Sequence, residues 1–475
     1  MSAVPFLALI LAACGATSAL EPGGEHADAA AEELSSAPAS EPTGDPPRAA
    51  SSERAEGSAP VGSGERRGPS DFSEIELARI LRHSPLPPRP PDPTNRWADD
   101  PRAARLGQAL FFDARLSANG EIACATCHRP ELDLTDGKAL FEGLGVGERR
   151  TPPLWNLAWS RWLLWDGRVD SLWAQAVQPL ENPIEMGGDR LAAAHLIASD
   201  PDLRAAYNEL FGALPDLADG ARFPEHARPV AGRPDDPHDV AWRAMEAADR
   251  EAIDSLLVHL TKSIAAYERL LVSTDAPFDR FVAGLRDGDP EKLAALSARE
   301  RRGLKLFVGK ARCRMCHVGP NFTDNEFHNL SLPTADGGLP RDAGRYEGSR
   351  LLRADPLNAA GKFSDAPKGA AAERLGALVV GSETWGEFKT PSLRNVARRG
   401  PLMHRGQFTD LAEVIGFYST LEGQSRLHGH RETVLVALEL SEQEQADLRA
   451  FLGSLSGASL PETLLGPPTL PRAGQ

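Results

Sequence analysis

Apolar residues recur along most of this chain at three- and four-residue intervals rather than at every second position. The clearest stripe is Leu256, Leu260, Ile264, Tyr267 and Leu271, which share one face of a helix. Ser441-Glu442-Gln443-Glu444 has the form of a capping box and opens a last helix that runs to about Leu455. No succession of alternating strands emerges, so the spacing predicts a mainly α protein built from short helices. Two stretches lie outside this pattern. Residues 21–95 are rich in Pro, Ala, Ser and Glu and poor in aromatics, which predicts a disordered tether, stiffened as polyproline over Pro85–Pro93. Ala3–Ala13 is apolar but too short to span a bilayer, and residues 1–20 read as an export signal. Within it, Leu11-Ala12-Ala13-Cys14 has the form of a lipobox, which predicts a periplasmic protein anchored by a lipidated Cys14.

The remainder repeats itself. Leu106–Phe112 (LGQALFF) is echoed by Gly303–Val308 (GLKLFV), and Thr135-Asp136 by Thr323-Asp324. Thr151–Asn156 and Thr390–Asn395 both read T-P-x-L-x-N, at an offset of 239 residues. Two domains of common design follow, at 96–250 and 290–457, with a helical brace at 251–289 and a disordered tail at 458–475. Asp336–Val380 interrupts the second copy and, being rich in Gly, Ala and Asp, predicts a surface loop.

The chain has 475 residues, five cysteines and a net charge of −15, which argues against nucleic acid as a partner. Four of the cysteines fall in two C-x-x-C-H motifs, Cys124/Cys127/His128 and Cys313/Cys316/His317. That pentapeptide attaches haem c, the thiols bonding the porphyrin and the His taking one axial position on iron. A zinc or thiol-redox reading leaves the paired His unexplained. Two covalent haems are therefore expected.

The repeat also asks what fills the other axial position. At the same offset Leu164 falls on Met403, Trp165 on His404 and Pro179 on Tyr418. Leu and Pro cannot bind iron, and no His or Met lies between His128 and Trp165. The first haem is thus the candidate reaction site. The second has Tyr418, with Met403 as the alternative. Gln175 shares a helical face with Pro179, and Glu185 follows the turn at Asn182-Pro183. A carboxylate placed there can carry a proton between the oxygens of a bound peroxide.

The string L-F-F-D-x-R-L-S before the first C-x-x-C-H, then W-D-G-R, E-M-G, T-P-S-L-R-N-V and P-L-M-H-x-G, resembles the bacterial di-haem cytochrome c peroxidase family, including its MauG-like branch, over about Arg102–Leu455. The resemblance implies a peroxide-reacting first haem, an electron-transfer second haem, and Trp165 between them. It places Gln175 as the distal amide and Glu185 as the acid–base carboxylate. It also implies hydrogen peroxide and a small cytochrome c or cupredoxin as partners, and a homodimer. Classical members of the family carry an activation His in the loop corresponding to Lys138–Arg149; here that loop has none, so the first haem is expected to react without reductive activation. Tyr418 stands where many members have Met, as in the MauG-like branch, and His404 is expected near the second haem without ligating it. The family's calcium positions hold Arg150 and Arg399, whose charges repel a divalent cation, so no calcium is expected. Peroxide reduction is the leading activity, a MauG-like oxidation of a protein substrate the second, and simple electron carriage the third.

Overall fold

Helices begin where the sequence supplies a cap. Ser73, Ser297 and Ser441 each form a complete capping box with the Glu three residues on, opening the helices Glu74–Ile80, Ala298–Val308 and Glu442–Gly453. Asp100 and Asp189 cap Pro101–Phe111 and Arg190–Ser199 with their carboxylates. The computed structural model describes residues 71–334, 340–425 and 432–471, all within one compact unit. The signal and lipobox, the tether up to residue 70, His26, His428 and His430 lie outside the described residues. Among those described, the only sheet is a two-stranded ribbon, Phe327–His328 against Phe388–Lys389, and no helix is long and apolar enough to cross a membrane.

Two large hydrophobic cores form among the described residues, with two small clusters beside them. The first gathers Phe111, Trp173 and Tyr267, and the second Phe278, Phe307, Phe322 and Phe451. Each is built on one close helix crossing. Pro101–Phe111 meets Ala247–Glu268 at Gly107, where a Cβ would overlap the Ser263 carbonyl. Ala298–Val308 meets Glu442–Gly453 at Gly303, where a Cβ would overlap the Asp447 carbonyl. Both glycines come from the duplicated L-F segments.

The offset of 239 holds in three dimensions. The helix Leu172–Glu181 corresponds to Leu411–Thr420, and the turn Leu157–Trp159 to Val396–Arg398. Asn156 and Asn395 are both fully buried and left-handed, with φ of 59° and 60°. They converge on one residue: Asn156 accepts a hydrogen bond from the Ser273 backbone N–H (2.8 Å), and Asn395 from its hydroxyl (3.0 Å). The halves are thus knotted at the duplicated asparagines.

Several expectations need correction. The disordered tether does not extend to residue 95, because Phe72 and Ile80 pack into the second core. His83, inside that supposed tether, is buried between Phe307 and Phe322 with its Nε2 3.2 Å from the His317 carbonyl. The tail is ordered to residue 471: the Leu464 carbonyl accepts from Tyr267 (2.6 Å), and Gln108 donates to the Thr463 carbonyl (2.7 Å). The segment 251–289 is not one brace. The helix Ala247–Glu268 belongs to the first core, and Pro277–Asp287 to the second.

The insertion is not a surface loop either. Its helices Arg345–Ala354 and Ala370–Gly376 bury Leu352 and Leu375 against Trp162. Arg345 donates to the Gly167 carbonyl (2.8 Å) and stacks on Trp162 and Phe327. Arg149 bridges Asp166 (2.6 Å) and Asp342 (2.7 Å). The insertion therefore clamps the W-D-G-R turn.

Candidate functional site

Both C-x-x-C-H segments fold alike. The His128 N–H donates to the Cys124 carbonyl, and the His317 N–H to the Cys313 carbonyl, each at 2.9 Å. The chain then turns back so that His128 Nδ1 meets the Leu134 carbonyl (3.2 Å) and His317 Nδ1 the Phe322 carbonyl (2.9 Å). Asp133, Leu134 and Phe322 take positive φ to make these turns. A carbonyl at Nδ1 fixes the tautomer and leaves Nε2 for a metal. Burial lowers both imidazoles, His128 to about 4, so each ring is neutral, the form that ligates. Burial also pushes the thiols of Cys124 and Cys313 up to about 12. Redox-active C-x-x-C pairs show the opposite shift.

The helix Leu172–Glu181 contributes Gln175 and Pro179 to the void that His128 lines. The following turn brings in Glu185, held by Asn182 Nδ2 at 2.6 Å. Cys124, Cys127, His128, Gln175, Pro179 and Glu185 all line one void of about 50 Å³. Burial raises the Glu185 carboxyl, opposed by the Asn182 hydrogen bond and the Arg168 charge. That is the balance expected of a group that both takes and returns a proton.

The second site is a cavity of about 960 Å³ reached by Cys313, Cys316 and His317. Tyr418 enters it from Leu411–Thr420, the counterpart of the helix bearing Gln175. Met403, at φ 68°, and His404 lie on the same wall. Burial raises the Tyr418 phenol, with the Cys313 and Cys316 thiols adding to the shift. His404 is buried and stacked on Phe388 at 3.6 Å. Trp165 lies on this cavity's wall, not beside Gln175 and Glu185. Its Nε1 donates to the Arg150 carbonyl (2.8 Å), and its own carbonyl accepts from the Lys389 N–H (2.8 Å).

The family model for di-haem cytochrome c peroxidase matches residues 101–287. The methylamine utilization protein MauG of Methylorubrum extorquens is 33% identical over 411 residues, covering 86% of this chain and 92% of MauG. The chain belongs to the di-haem cytochrome c peroxidase family. Cytochrome-c peroxidase IdrP1 of Denitromonas iodatirespirans is also 33% identical, over 78% of this chain and 86% of IdrP1. Among solved structures, a MauG-like protein associated with microbial copper homeostasis aligns with a TM-score of 0.57 at 25% identity, covering 81% of this chain and 98% of that one.

A di-haem cytochrome c peroxidase carries two haems, and the residues present suit them. The second cavity has the size of a cofactor pocket, with two thiols and a neutral imidazole on its wall. The first repeats the donor set around a much smaller void, so there the fit rests on chemistry and local geometry. The structure also shows two residues on the first wall that the sequence reading passed over. Glu268 is buried on Ala247–Glu268 with its Oε2 unpartnered, and burial pushes it up to about 8. A carboxylate inside the Ile264–Leu271 stripe was the available signal. Met186, next to Glu185, supplies a thioether on that wall; a search for ligands that stopped at Trp165 could not reach it. Finally, Cys316, Asp324 and His328 approach within 4.8 Å. Asp324 and Glu432 already engage both His328 nitrogens (2.9 and 2.7 Å), which makes this an ion-paired cluster.

Proposed function

We propose that the protein reduces hydrogen peroxide to water in the periplasm, with electrons from a small cytochrome c or cupredoxin. The observation that carries this reading is Glu185 and Gln175 facing His128 across one void, with the carboxyl raised by burial. When bound, the haems supply the iron at which the O–O bond is cleaved and the one-electron path that refills it. Glu185 takes the proton from the inner peroxide oxygen and delivers it to the outer one, which leaves as water. Gln175 orients the peroxide through its amide. Two electrons and two protons complete the conversion of one peroxide to two waters. His128 and His317 would hold the two irons, Tyr418 would bind the second, and Trp165, pinned to Arg150, would stand on the electron path. Lipidation of Cys14 would keep the enzyme at the membrane.

A second reading, oxidation of a protein substrate in the manner of MauG, draws support from Tyr418 on the second cavity wall. Turnover separates the two. Stopped-flow oxidation of reduced cytochrome c by peroxide should be fast and catalytic for a peroxidase; turnover no faster than the peroxide-free control excludes it. An electron paramagnetic resonance spectrum of the oxidised holoprotein tests the site itself. A high-spin ferric signal that peroxide abolishes is expected, and two low-spin signals would place a protein ligand, Met186 foremost, on the first iron.

A further inference from the structure

Arg150 and Arg399 are buried, at 3% and 9% exposure, yet incompletely partnered. Arg150 Nε and Nη2 and Arg399 Nε have no hydrogen-bond acceptor. Arg399 Nη2 donates to the Arg394 carbonyl (2.7 Å). Arg399 Nε is ion-paired at 3.6 Å with Asp133 Oδ2, which is itself without a hydrogen bond, and the charges of Asp136 and Asp133 both act on Arg150. Both arginines line the second cavity, joined by Lys389, the counterpart of Arg150 at the 239-residue offset. The backbone of Arg150 is held on both sides. Its N–H donates to the His404 carbonyl (2.8 Å), and its carbonyl accepts from Trp165 (2.8 Å).

Buried guanidinium donors left without acceptors are unfavourable, and an anion entering the cavity would complete them best. The planar fork of Arg suits a carboxylate. The group that fills this cavity in a di-haem protein is a haem, whose porphyrin bears two propionate carboxylates. We propose that Arg150 and Arg399 form a buried anion clamp for a carboxylate of the second haem. Two guanidiniums and a divalent cation cannot share one cage, so the clamp leaves no place for such an ion beside them. The proposal holds for either reading of the activity, because it concerns how the cofactor is held.

The test is spectroelectrochemistry on the holoprotein. Arg150→Gln and Arg399→Gln should retain two covalent haems per chain, by mass and by haemochrome assay. The midpoint potential of the second haem should fall in each, because positive charge beside the carboxylate favours the reduced state. Arg399→Lys should recover part of the shift. Unchanged midpoints in both Gln variants would overturn the clamp. Two wild-type measurements stand if the variants do not load haem. Titration with chloride or acetate should leave the midpoint unmoved; a saturable shift would assign the site to a free anion and overturn the cofactor carboxylate. Chelation followed by added calcium should leave the spectrum unmoved. A stoichiometric calcium whose removal alters the spectrum would also overturn the proposal.

Discussion

The two haem-binding halves share a frame and differ in charge. From Thr151 and Thr390 onward they match turn for turn and helix for helix at the 239-residue offset, down to the left-handed backbone at Leu164 and Met403. The wall facing His128, however, carries carboxylates, Glu185 and Glu268. The wall of the second cavity carries Arg150, Arg312, Arg341, Lys389, Arg399 and Arg405 against Asp342 and Glu432, beside the Tyr418 phenol. One scaffold has been made acidic at one site and basic at the other by a few side chains. An acidic wall suits proton movement; a basic one suits holding an anionic cofactor and setting its potential.

The sharpest way to break this contrast is to remove proton transfer from the acidic side. Glu185→Gln is nearly isosteric and can still accept from Asn182. It should keep both haems and lose roughly 10²- to 10⁴-fold in peroxide turnover. Equal rates in steady-state assays would remove Glu185 from the mechanism.

Glu268 tests the acidity of that wall through stability. Its carboxyl is pushed up to about 8 by burial, against about 4.3 for an exposed Glu. Between those values the folded state keeps a proton that the unfolded chain has lost. Stability is therefore fully present below about pH 4 and falls as pH rises towards 8, by on the order of a few kcal/mol. Glu268→Gln should flatten that slope in denaturant melts of the holoprotein at pH 5 and pH 8. A slope equal to wild type would show that the group is not held neutral.

Pattern made part of this legible. The two C-x-x-C-H motifs, the offset and the apolar stripe of Ala247–Glu268 are local or repeated signals, and each has its counterpart in the fold. What stayed hidden depends on distant partners. Ser73-Glu74-Ile75-Glu76 has the same capping pattern as Ser441–Glu444, but the surrounding Pro and Ala masked it, and its burial comes from Phe281, far along the chain. His83 looked polar in context because its neighbour, His317, is 234 residues away. The insertion looked like a loop by composition, yet Arg345 finds a carbonyl acceptor 178 residues back. The acid-versus-base contrast was half visible, since Glu185 and the two arginines could be named but not assigned to two separate sites.

The finest test changes the second site and reads the first. If the two walls act independently, Tyr418→Phe should leave the rate at which peroxide is consumed in a single turnover within about twofold, as for distant substitutions whose effects add. The same variant should alter the low-spin signal and midpoint potential of the second haem, since an oxygen ligand favours the ferric state. Met403→Leu should alter neither, because Met403 then serves as packing in a left-handed turn. The reverse result, a low-spin signal lost in Met403→Leu and kept in Tyr418→Phe, would transfer the ligand to the thioether. The basic wall would remain, but the phenol would no longer distinguish the second site from the first. The contrast between the halves would then rest on charge alone.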